Sequence, residues 1–82
     1  MDRRKLARIN KLGQEIISLE SRLDSARYQA NAARLNLDRD DLTYHEWNSA
    51  AREFGLSSGS VFGLEKRLRI VRGRFHFEVQ SV

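Results

Sequence analysis

The sequence predicts a mainly α protein: one long N-terminal coiled-coil-like helix, then two short helices hinged at a glycine, then a C-terminal β-hairpin or strand. Three observations predict it. Residues 3–37 contain no proline and a single glycine, and their apolar residues recur in steps of three and four. Ala51-Arg-Glu-Phe-Gly55-Leu56 sets a glycine where one helix can end and another begin. Between Arg69 and Val79 the apolar residues alternate at period two. Residues 1–37 are then a helix for self-association or packing, 38–43 an acidic connector, and 44–82 a C-terminal unit.

Eighty-two residues make one domain at most, and a long helix leaves little chain for a core of its own. There is no cysteine, hence no disulfide framework, thiolate metal site or cysteine nucleophile. No apolar run approaches membrane-spanning length, and Met1-Asp-Arg-Arg-Lys5 leads into no signal-like segment. The expectation is a soluble, cytoplasmic protein without a membrane partner.

Net charge is +4, unevenly placed. Residues 1–37 carry eight Lys/Arg against four Asp/Glu, residues 38–57 two against five, and residues 58–82 five against two. Two basic ends flank an acidic middle, which suits a polyanion met at particular places, or an ordinary solvated surface. Arg outnumbers Lys twelve to three, and Arg forks well onto phosphate and guanine.

In the first helix, Ile9, Leu12, Ile16, Leu19, Leu23, Ala26, Ala30, Ala33 and Leu37 form a heptad seam that turns from large residues to alanine. A parallel homodimer would face Glu15 with Glu20 and Arg22 with Arg27, both repulsive. An antiparallel one sets Glu15 against Arg22 twice. Ile9, Leu12, Ile16, Leu19, Leu23 and Ala26 are therefore the expected dimerisation residues. The alternative is that the helix folds back on its own C-terminal unit.

Asn36 to Thr43 breaks the seam, and its aspartates suit turns and helix starts better than a calcium loop. Thr43-Tyr-His-Glu46 matches a capping box. Beyond it Tyr44, Trp47, Ala50, Ala51 and Phe54 share a face, with Trp47 as the expected core anchor. Gly55 would turn the chain, Leu56, Val61 and Leu64 would fill the angle between two helices, and Ser57 or Ser58 would cap the second. Arg72-Gly73 then stands where a hairpin turn would, with Phe75, Phe77 and Val79 on one face of the strands.

Residues 47–68 resemble a helix-turn-helix, and with the hairpin after them residues 47–79 resemble its winged form. The resemblance implies a helix presented to the DNA major groove, with Ser57, Ser58, Gly59, Phe62, Gly63 and Lys66 at base-facing positions. Two glycines and a phenylalanine leave few groups that read base edges, so Lys66, Arg67, Arg69, Arg72 and Arg74 serve as phosphate clamps, the last two at the tip of a basic wing. Ser57, Ser58, Phe62, Lys66, Arg67, Arg69, Arg72 and Arg74 are the expected DNA-binding set.

Catalytic chemistry is not indicated. His45 and His76 stand apart from any second ligand at metal spacing, the serines lack an activating partner, and the glycines spell no phosphate loop. No cofactor is expected. Two functions remain: a small DNA-binding regulator of the bacterial or phage type, acting as a homodimer, or a protein-binding module such as a phage-type inhibitor or adaptor acting on a host protein.

Overall fold

The computed structural model describes residues 2–81 and contains two elements: α1, Arg3–Leu37, and α2, Tyr44–Gln80. They lie side by side as an antiparallel helical hairpin, a rod whose Cα trace measures 61 × 14 × 13 Å. At one end is the connector; at the other the start of α1 meets the end of α2. There Lys5 Nζ donates to the carbonyl oxygen and Oγ of Ser81, each at 2.7 Å.

Local chemistry sets the helix ends. Asp2 caps α1, its carboxylate accepting the Arg4 amide hydrogen at 3.2 Å. Thr43 caps α2, its Oγ1 accepting the Glu46 amide hydrogen at 3.2 Å and donating to Glu46 Oε1 at 2.9 Å. The carboxylate thus meets the cap's hydroxyl, where a full capping box would have it accept the cap's amide hydrogen. Between the helices Arg39 forks onto Asp41 at 3.1 and 2.9 Å. That hydrogen bonding, ahead of the Arg39 charge itself, holds the Asp41 carboxyl below its ordinary value.

The structure corrects the expected fold over residues 44–82. There is no helix-turn-helix and, among the described residues, no strand: α2 runs unbroken through Gly55, Arg72 and Gly73. None of the glycines has a positive φ. Glycine permits a turn without imposing one, and a stronger pattern crosses this one. Ala50, Phe54, Ser57, Val61, Leu64, Leu68, Val71, Phe75 and Glu78 advance in alternating steps of four and three, and each is buried or half-buried. The seam of α1 thus meets a matching seam in α2. The period-two reading fails for the same reason: Phe75 and Phe77 are about 200° apart around a helix, and Phe75 packs over Gly13 while Phe77 is 70% exposed.

The core is thin. Leu19, Leu23, Leu68 and Val71 form its centre, with Leu12, Ile16, Val61 and Leu64 packed against them. Among the described residues only Val71 is completely enclosed. Toward the connector the buried residues are Ala26, Ala33 and Ala50. Small residues on both helices leave no interior space for an indole, and Trp47 is 48% exposed rather than a core anchor. Among the described residues no helix is long and apolar enough to cross a membrane.

Candidate functional site

Helical geometry divides α2 into an inner seam and an outer one. Ser49, Leu56, Gly63, Ile70 and Phe77 recur every seven residues and so share a stripe. It borders the groove between the helices on one side of the rod. Leu56 is 70% exposed, Phe77 70% and Ile70 42%. A Cβ added at Gly63 meets no atom within 4 Å. The stripe is apolar or small along its length and lies open.

At the end near the termini this stripe borders a groove of about 760 Å³. Leu12, Ile70, Gly73 and Phe77 supply its apolar lining; Arg8, Lys11, Arg67 and Arg74 its cations; Glu15 and Glu78 its carboxylates. Both carboxylates are already engaged across the hairpin, Glu15 with Arg67 at 2.9 Å and Glu78 with Arg8 at 3.7 Å. Lys11 and Arg74 stand outside every ion pair among the described residues. The groove is therefore apolar within and cationic at its margin. At the connector end the same side of the rod carries a smaller groove with Ala32, Glu53, Leu56 and Ser57 in its lining.

The opposite side is dominated by fixed charge. Glu20 pairs with Arg72 at 2.8 Å and Glu65 with Arg27 at 3.1 Å. These pairs, with Glu15–Arg67 and Arg8–Glu78, run along the two margins of the hairpin and set its register. Exposed pairs of this kind each contribute about 0.2–1 kcal/mol.

The expected DNA-binding residues are not gathered on one face. Ser57 and Ser58 are half-buried; Phe62, Lys66, Arg69 and Arg74 are exposed; Arg67 and Arg72 are tied to Glu15 and Glu20 of α1. Successive members point around the whole circumference of one straight helix, and the recognition helix and wing that would have presented them are not formed.

The residues expected to join two copies sit in the intramolecular interface. Leu19, Leu23 and Ala26 are buried, and Ile9, Leu12 and Ile16 half-buried, along the α1 face that meets α2. The folded-back arrangement is the one this structure adopts. The seven-residue recurrence of Leu56, Ile70 and Phe77 is the sequence signal that puts them on one open helix face.

Comparison with protein-family models, curated proteins and solved structures finds no match.

Proposed function

We propose that this chain is a non-enzymatic protein-binding module, a helical hairpin whose uncovered face is completed by another polypeptide in the cytoplasm. One observation carries the reading: among the described residues the hairpin buries seven apolar residues, four of them larger than alanine, while eleven large apolar side chains stay exposed. A two-helix rod cannot enclose both faces of its helices, and a core this small leaves an isolated domain marginal. Exposed Leu56, Ile70 and Phe77 share one face and are the kind of anchor that fills a partner's pocket or packs helix on helix.

A second reading rests on the basic end. Residues 2–20 with 65–81 carry ten Lys/Arg against five Asp/Glu, and Lys11, Lys66, Arg69 and Arg74 are free of ion pairs among the described residues. Such an end could meet a nucleic-acid backbone without reading sequence. It is a patch without a groove-reading element, so the apolar face ranks first.

The test is photocrosslinking in cells from which the sequence comes. A photoreactive residue at Leu56 or Phe77 is expected to yield discrete protein adducts, and one at Ser21, away from the outer stripe, none. Absence of any protein adduct from Leu56 and Phe77, with the hairpin folded and expressed, would overturn the reading.

A further inference from the structure

The outer stripe of α2 is nearly symmetric about Gly63. Leu56 lies seven residues before it and Ile70 seven after; Glu53 lies ten before and Arg74 eleven after. Two copies of α2 running antiparallel, crossing at Gly63, would set Leu56 of each against Ile70 of the other. Glu53 of each would come beside Arg74 of the other, which has no carboxylate partner within its own chain among the described residues. At the crossing, Gly59 and Gly63 offer open space, and α1 presents exposed Ser18 and Ser25 along this side. Small residues at the centre let the helices approach, and large apolar ones on either side fill the space beyond.

Charge along the rod favours the same orientation. The end near the termini carries the excess of five cations given above, while residues 36–53 around the connector carry two Lys/Arg against five Asp/Glu. Antiparallel packing lays each acidic end on a basic one; parallel packing would set like on like. The stripe from Ser49 to Phe77 is about 42 Å long at 1.5 Å per residue. With a helix about 10 Å wide and both helices of each hairpin in the layer, each copy would cover about 800 Å², the size of a standard stable interface.

Building on the protein-binding reading, we infer that the partner covering this face is a second copy of the chain. Two hairpins pack antiparallel about a twofold axis at Gly63, giving a four-helix bundle in which α2 meets α2 and α1 meets α1. The heptad residues of α1 remain inside each hairpin, and the contact between copies belongs to the outer stripe.

Because the chain has no cysteine, single cysteines report the geometry directly. After mild oxidation Gly63→Cys is expected to crosslink to itself. A mixture of Leu56→Cys and Ile70→Cys is expected to give the mixed dimer, and neither alone a substantial dimer, since each would sit about 21 Å from its own copy. In sedimentation equilibrium Glu53→Arg is expected to weaken the dimer by about fivefold or more, and the double variant Glu53→Arg/Arg74→Glu to restore it. Self-crosslinking of Leu56→Cys to the extent of the mixture, or a folded wild-type chain of monomer mass at every concentration, would overturn the proposal. A monomer that still gives a protein adduct of another mass from Phe77 would leave the protein-binding reading standing without this partner; a monomer with no protein adduct but salt-sensitive duplex binding would remove both.

Discussion

The two halves of the rod are held by different means. Near the termini, leucine, isoleucine and valine interdigitate around Val71, and most of the ion pairs that fix the register flank them. Toward the connector the buried residues are alanines, and Tyr28, Leu35, Tyr44, Trp47 and Leu56 are left outside. The same antiparallel seam therefore yields a well-filled half and a half joined by close backbone approach. Stability belongs mostly to the first, and much of the apolar surface available to partners to the second.

That contrast can be broken most severely at Leu68. Replacing it with alanine should cost about 2–5 kcal/mol in chemical denaturation, the range for a large core residue that leaves a cavity. In the other half the error runs the opposite way. Ala50→Leu should cost about 1–3 kcal/mol by overpacking, whereas an alanine half that could part without loss would tolerate it. Thr43→Ala removes the cap on α2 and should cost about 1 kcal/mol in the same assay.

Gly55→Ala sharpens the comparison with a gain. Its φ is not positive and nothing lies within 4 Å of an added Cβ, so alanine should raise stability by about 0.5–1 kcal/mol. A hinge requiring a left-handed glycine would instead be destabilised. The smallest effect belongs to the connector. Asp41 has a lowered carboxyl pKa in the folded chain, so its contribution is present above the unfolded value and is lost as pH falls through the folded one. Asp41→Asn should therefore lower thermal stability slightly near neutrality and flatten the profile, so that the two chains converge in acid. A pH profile of melting, compared between the two chains, checks this.

Much of α1 was legible in the sequence. Its three-and-four steps from Ile9 to Leu37 meet no proline, and an aspartate stands ready to cap the start. The cap at Thr43 was legible for the same local reasons. In α2 local signals competed with a longer one and obscured it. Gly55, Gly59, Gly63 and Gly73 punctuate the segment, and Phe75, Phe77 and Val79 alternate over a short window. Over five residues that pattern is indistinguishable from a strand. The alternating steps from Ala50 to Glu78 emerge only when serine, alanine and glutamate are admitted to the seam, because a small or long amphipathic side chain can occupy a partly buried position. The outer stripe was hidden by the same misassignment. With a break at Gly55 and a strand beginning near Arg69, Leu56 and Ile70 fall in different elements, and their symmetry about Gly63 has meaning only with both on one helix.

The continuity of α2 underlies the inner seam, the outer stripe and the interface inferred from it. Paired spin labels at Asn48 and His76, diluted with unlabelled protein, measure it by pulsed dipolar spectroscopy. An unbroken helix gives a narrow distribution near about 42 Å, from 1.5 Å per residue. A broad or much shorter distance, with the labelled chain still helical, would mean that the segment folds back on itself and would contradict the account.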